Sequence, residues 1–211
     1  MLDRLRDLIP EPALRRLPWY LAYVSLLRER GVEYVSSTGI ARGINVDASQ
    51  VAKDLSFLDI KGKTRIGYEV ALLEHKLEEF LGFRKRHRAA IIGVGSLGRA
   101  LMQDSGLTNY GLEVVAGFDV DPAKIGTTYE GMPVYDVASL GEKSRELGME
   151  IGIVTVPVEY AQDAADSIVE AGLKAIWNFT PYRIQVPEDI VVANTSIYAH
   201  LAVMYNRMLS R

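Results

Sequence analysis

The chain contains no cysteine, which excludes disulfides, thiolate metal ligands and thiol-based switching, so any redox role has to run through a bound group. It also lacks a long apolar run. No window holds the roughly 18 uninterrupted apolar residues that a spanning helix needs, and the opening MLDRLRDLIPEPALRRLP has no apolar stretch of signal-peptide length. Cytoplasmic residence is the default expectation. Histidine is scarce: His75 and His87 lie in the N-terminal part and His200 near the end, and no Tyr is followed four residues later by Lys. The groups that usually move protons beside a nicotinamide are therefore few. No catalytic residue and no metal site is expected, and neither an internal repeat nor a low-complexity tract is present.

The 211 residues, 48% of them hydrophobic, suffice for one or two domains with a real core. The formal charge of −3 hides an asymmetry. Residues 1–88 carry 16 Lys and Arg against 12 Asp and Glu, and residues 89–211 carry 8 against 15. A basic half joined to an acidic one suggests nucleic acid at one end, although an ordinary solvated surface can show the same balance.

In the first half, Tyr20, Tyr23, Val24 and Leu27 recur at helical spacing and predict a helix over 18–30, stopped at Gly31. STGIARG predicts a short helix capped by Ser37 or Thr38 and stopped at Gly43. Asp47 then caps a helix whose stripe is Val51, Leu55 and Leu58. GKTRIGYEV, with Gly62 and Gly67 around a basic turn, predicts a β-hairpin wing, and VALLEHKLEEF a last helix. FRKRHR at 83–88 marks the boundary. This order suits a winged helix whose reader runs from Asp47 and Ala48 to Leu58. Ser49, Gln50, Lys53 and Ser56 would face DNA, and Lys61, Lys63 and Arg65 of the wing would reach phosphates or the minor groove. Helix-turn-helix geometry also serves protein-interaction domains, so the pattern alone leaves that reading open.

Beyond residue 88 the period changes. AAIIGVG (89–95), LEVVAGFDV (112–120), MPVYDV (132–137), EIGIVTVP (150–157), KAIWNF (174–179) and DIVVAN (189–194) read as strands with helical segments between most of them. That alternation predicts βαβ units on a parallel sheet. The final segment, 195–211, reads as a helix capped by Thr195 or Ser196, with a stripe of Ile197, Leu201, Met204 and Met208 that needs another surface, such as a second subunit.

The sheet opens on Gly93-Val94-Gly95-Ser96-Leu97-Gly98, a GxGxxG turn between a strand and a helix, and Asp119 ends the next strand 26 residues after Gly93. The first glycine suits a tight turn, the second lets a pyrophosphate approach the backbone, and the third lets helix and strand pack closely. Asp119 would accept hydrogen bonds from the adenosine ribose, and Asp121 would repel a 2′-phosphate, which favours NAD(H) over NADP(H). Thr155, Val156 and Pro157 of VTVP and Asn178 and Thr180 of NFTP end later strands and suit contacts to a nicotinamide, but they are poor proton-transfer groups. The site therefore reads as one that binds. A small NAD-dependent oxidoreductase with a helical dimerisation domain, or a CoA- or nucleotide-binding subunit, are the alternatives.

RRLPWYLAY (15–23), VSSTGIARGINVDASQVAKDLSFL (35–58), GKTRIGYEV (62–70), IIGVGSLGRAL (91–101), FDVDPAKIGTTYEGMPVYD (118–136), VTVP and NFTP together resemble a known family, the redox-sensing transcriptional repressor Rex. The resemblance covers nearly the whole chain. It implies an α/β chain with a winged-helix DNA-binding domain over 1–80, a basic linker over 81–88, a Rossmann NAD(H)-binding domain over 89–194 and a domain-swapped dimerisation helix over 195–211. It further implies a homodimer that binds double-stranded operator DNA with an inverted repeat when NADH is scarce and releases it when NADH accumulates, with no membrane partner. Tyr198, one turn into the last helix, is the expected side chain beside the nicotinamide ring. Two departures stand out: Gln50-Val-Ala-Lys53 where the family often has two or three Arg or Lys, and Ser196 where it tends to place an acid.

Overall fold

The computed structural model describes residues 9–210, so the first eight residues of the expected 1–80 domain and the final Arg211 lie outside the described residues. The chain forms two compact units, Met1–Lys85 and Arg86–Arg211.

In the first unit, α1 (Glu11–Leu14) and α2 (Leu17–Glu29) precede strand β1 (Tyr34–Val35) and the helices α3 (Ser37–Ile44) and α4 (Ala48–Leu55). A 3-10 turn at Ser56–Leu58 extends α4, and strand β2 (Tyr68–Glu69) leads into α5 (Val70–Leu81). Leu17, Tyr20 and Val24 of α2, Ile40 of α3, Val51 and Leu55 of α4, and Leu73 and Leu77 of α5 are all fully buried. The stripes thus close on one core, as helical periodicity requires.

Three local expectations are corrected. The cap of α3 is Ser36, one residue earlier than read, because its hydroxyl accepts the Gly39 N–H at 3.0 Å. The same helix ends at Asn45, which is left-handed at φ 55°; Gly43 is instead small because a Cβ there would collide with the Tyr23 ring. The wing is not a self-contained hairpin. β2 pairs antiparallel with β1, Tyr34 opposite Glu69 and Val35 opposite Tyr68, and a single bridge between Lys63 and Gly67 closes the turn.

A buried acid ties α2 to α4. Asp54, 1% exposed, accepts bonds from Arg16 Nε at 2.7 Å and Nη2 at 3.0 Å, from the Tyr20 hydroxyl at 2.6 Å and from Gln50 Nε2 at 2.8 Å. Burial opposes its ionisation, but the bonds from Arg16, Tyr20 and Gln50 outweigh burial and hold the carboxyl below its ordinary value. Burial first, and the bond to Asp54 second, push the Tyr20 hydroxyl up to about 12.

The second unit is a seven-stranded sheet in the order β5-β6-β4-β3-β7-β8-β9. Its strands are β3 (His87–Ile92), β4 (Leu112–Asp119), β5 (Thr128–Tyr129), β6 (Met132–Asp136), β7 (Ile151–Val154), β8 (Ala175–Asn178) and β9 (Val191–Asn194). Helices α6 (Ser96–Gln103), α7 (Gly106–Asn109), α8 (Leu140–Leu147) and α9 (Ala161–Glu170) lie between them, and α10 (Ile197–Leu209) follows. Five of the six neighbouring pairs are parallel. The sixth is an unforeseen hairpin of β5 with β6, turned by Glu130 (φ 49°) and Gly131 (φ 79°), the two left-handed residues a tight hairpin needs. β3 starts at His87, inside the segment expected as linker, because His87 and Arg88 pair with Leu112 and Glu113.

The chain crosses from β6, β4 and β3 to β7, β8 and β9 on the other side, so the direction of winding reverses between β3 and β7. Ligands of such sheets bind at that point, beyond the carboxyl ends of the strands. Ser196 caps α10 by accepting the Ala199 N–H at 3.1 Å, and no residue of this helix is buried within the chain. Among the described residues no helix is long and apolar enough to cross a membrane.

Asp54→Ala should destabilise the first unit by about 3 kcal/mol, the usual cost of stripping a buried pair of one partner, read as a lowered urea midpoint at neutral pH. Since the folded carboxyl titrates below its unfolded value, its contribution is full at neutral pH and is lost as pH falls through that range. The gap between the parent and Asp54→Ala should therefore close in acid, and a gap that persists there would assign it to packing.

Candidate functional site

At the mouth of β3 each glycine has its own reason. Gly93 is left-handed at φ 93°, and a Cβ there would sit 2.6 Å from Val156 Cγ1. A Cβ on Gly98 would strike the Gly93 carbonyl oxygen, so only hydrogen lets α6 pack this close to the strand end. Gly95 differs, because its Cβ would meet nothing within 4 Å. It borders a cleft of about 550 Å³ and caps α6 without any side-chain bond. The N–H groups of a helix's first turn have no intrahelical partner and carry the positive end of the dipole. An uncapped helix start facing open space through a bare Cα is a cradle for a pyrophosphate, and these residues fit a dinucleotide. Ser96 and Leu97, in that first turn, are exposed, whereas Val94 is fully buried.

Asp119, 8% exposed, organises the neighbouring corner. Its Oδ2 accepts the Val94 N–H at 2.8 Å and Lys124 Nζ at 2.9 Å, and its Oδ1 accepts the Asp121 N–H at 3.0 Å. Burial pushes this carboxyl up, but Lys124 and the two backbone donors more than offset it, and the net shift is down. The acid that the sequence marks for a ribose thus also anchors the glycine turn. One lone pair of Oδ1 stays available for a ligand hydroxyl.

The other expected contacts divide. Thr155, Val156 and Pro157 border the cleft, and the Thr155 hydroxyl donates to the Gly93 carbonyl at 2.7 Å, clamping β7 to the turn. Asn178 and Thr180 do not border it. Asn178 Oδ1 accepts the Thr180 N–H at 2.9 Å and its hydroxyl at 2.8 Å, while Asn178 Nδ2 donates to the Tyr182 carbonyl and to Asn194 Oδ1. Both are buried, and their side chains hold the loop after β8. Tyr198 is 66% exposed on α10 and does not border the cleft of its own chain. Lys124, Tyr160 and Asp163 border it without having been singled out in the sequence.

In the first unit, Asp47 caps the reader helix: its carboxylate accepts the Ser49 N–H at 2.8 Å and the Gln50 N–H at 3.3 Å, and also the Ser49 hydroxyl. These bonds, the Ser49 hydroxyl first, hold it below its ordinary value. Ala48 packs partly against the core. Gln50, half-buried, donates through Nε2 to Asp54 at 2.8 Å. Ser49, Lys53 and Ser56 stay exposed, as do Lys61, Lys63 and Arg65 of the wing. Lys63 Nζ donates to the Tyr34 hydroxyl at 2.6 Å, and Arg65 is left-handed at φ 65°, so the turn is held in a defined shape. Ile66, 53% exposed on the same turn, escaped the sequence reading.

Two family models match the chain: a CoA-binding domain over residues 84–182 and the N-terminus of putative DNA-binding proteins over residues 8–56. A protein of Bacteroides fragilis named redox-sensing transcriptional repressor Rex is 58% identical over 95% of this chain and 91% of its own length. RSP, described as a Rex-family repressor, has been solved with β-NAD+ and operator DNA. That structure is 32% identical to this chain, with a TM-score of 0.91 over 95% of this chain and 93% of its own. Its complex with β-NADH matches at a TM-score of 0.85, with 32% identity over 95% and 94%.

Gly95→Ala separates space from stability. At φ −83° alanine is unstrained, so stability should fall by no more than about 1 kcal/mol, the cost of an alanine cap, while calorimetric dinucleotide binding should fall at least ~100-fold, about 2.7 kcal/mol. Gly98→Ala should instead lower the melting temperature. Unchanged binding in Gly95→Ala would remove the pyrophosphate from this turn.

Proposed function

This chain belongs to the Rex family of redox-sensing transcriptional repressors, and from that premise we infer that it works as a homodimer that occupies an inverted-repeat operator when NADH is scarce and leaves it when NADH accumulates. The observation that carries this reading is that one unit holds the cradle at Gly95 and the other carries an exposed Lys53 on its capped reader helix. A winged helix over 1–80 supplies the DNA contact, the sheet domain over 89–194 holds the dinucleotide, and the helix over 195–211 is exchanged between subunits. Cytoplasmic residence accords with this work on DNA.

Gly95 and the first-turn amides of α6 hold the pyrophosphate, Asp119 accepts from a ribose hydroxyl, and Val156 and Pro157 border the ring with Tyr198 of the exchanged helix. The dinucleotide supplies the signal, because its reduced ring is neutral and its oxidised ring carries a positive charge. The apolar side chains of Val156 and Pro157 beside the ring disfavour the cation. A 100-fold preference corresponds to about 2.7 kcal/mol per site. Two sites together approach the roughly 5.5 kcal/mol that moves a two-state equilibrium from 1:99 to 99:1. The relatives' name as transcriptional repressors supports a receptor over an oxidoreductase. A receptor leaves NADH absorbance steady in the presence of carbonyl compounds.

Fluorescence anisotropy of the protein on a palindromic operator should show release by NADH at concentrations at least ten times lower than by NAD+, with CoA inert. Equal effects of the two dinucleotides would remove the redox-sensing reading. Lys53→Ala should weaken operator binding and reduce the salt slope by about one, as for one lost phosphate contact. An unchanged slope would place Lys53 off the DNA.

A further inference from the structure

The ribose corner of the cleft holds two carboxylates and one ammonium, and the ammonium is the unexplained part. Lys124 Nζ lies 2.9 Å from Asp119 Oδ2 and 3.8 Å from Asp121 Oδ2, and all three residues border the cleft. Lys124 is not a loose surface side chain. Its N–H donates to the Asp121 carbonyl at 2.9 Å, its own carbonyl accepts the Thr127 N–H at 3.1 Å and hydroxyl at 2.6 Å, and its side chain is 31% exposed. The turn after β4 thus fixes where this cation stands. Asp121 helps build the same turn, since its Oδ1 accepts the Ala123 N–H at 2.9 Å.

We propose that Lys124 sets which dinucleotide the cleft accepts: paired with Asp119 it admits a free ribose 2′-hydroxyl, and relieved of the two carboxylates it becomes a receptor for a 2′-phosphate. The proposal rests on the cleft being a dinucleotide site. With Val94 and Lys124 on Oδ2 and Asp121 on Oδ1, Asp119 keeps one lone pair that can accept only from a donor such as a hydroxyl. The corner carries a net charge of −1, because Lys124 cancels one of two carboxylates. A phosphate of about −2 charge is rejected there by that charge, with the Lys124 ammonium already neutralised by the flanking carboxylates. Lys124 is also a positioning residue for Asp119, since its ion pair keeps the carboxylate charged and fixes its rotamer.

The test is calorimetric titration of the full chain with NADH and with NADPH. The parent should prefer NADH by at least ~100-fold, about 2.7 kcal/mol. Asp119→Asn combined with Asp121→Asn keeps acceptors for the turn while moving the corner from −1 to +1. This double variant should bind NADPH at least ten times more tightly than the parent does and lose affinity for NADH. Adding Lys124→Met should abolish the NADPH gain, an effect that a purely structural lysine would not produce. No gain in the double variant, or a gain that survives Lys124→Met, overturns the proposal. Should the double variant not fold, Lys124→Met alone decides: it should weaken NADH binding about tenfold, with Lys124→Arg restoring it, and unchanged NADH affinity overturns the proposal. A parent chain that binds neither dinucleotide overturns the dinucleotide reading itself, whereas a parent that binds NADH but fails these variants overturns only the role of Lys124.

Discussion

The structure depends on a helix that cannot be stable by itself. α10 has 13 residues and buries none of them within the chain, although Tyr198, Met204 and Met208 are large and apolar. Isolated helices of this length are marginal in water, because helical stability in proteins comes from packing an apolar face. α10 therefore calls for a second copy to cover it, as the exchange proposed for the family provides. That requirement explains why binding can have a consequence beyond the cleft. In the proposed exchange, a ligand that settles against residues from two chains acts on the arrangement of the pair, and a pair is what an inverted repeat recognises.

The cleft itself is built mostly by constraint rather than by reactive groups. Two of the three glycines answer to collisions within the protein, and only Gly95 answers to open space. Asp119 serves two purposes at once, holding Val94 in the turn while keeping one acceptor for a ligand. Thr155 spends its hydroxyl on the Gly93 carbonyl. The turn is thus held by contacts of the chain itself, which lowers the conformational entropy that binding has to remove.

Much of this was legible in the residues. The six β-branched runs after residue 88 became strands, the reader helix starts at the expected Asp47 cap, and the glycine turn lies between strand and helix as its spacing implies. What escaped was decided by side chains meeting across the sequence. Gln50 looks outward on a helical wheel, but the buried Asp54 one turn later needs a fourth donor and takes it. At the end of β8, the bonds of Asn178 to Asn194 and Tyr182 could not be read from the residues, because those partners arrive from later in the chain. β5 was invisible because its turn is Glu130-Gly131, with a glutamate in the left-handed position that Asn or Gly usually marks. Lys124 offered only its spacing of five residues from Asp119, a weak signal until the turn after β4 folds it back.

The account's central claim is that one site is an input and the other an output of a single equilibrium, and linkage makes that claim quantitative. If NADH weakens operator affinity by some factor, saturating operator must weaken NADH affinity by the same factor. NADH affinity should therefore be measured by calorimetry on the protein alone and on the protein saturated with palindromic operator. The account predicts a loss of NADH affinity on DNA equal to the loss of operator affinity in NADH. An NADH affinity that operator leaves unchanged would contradict it.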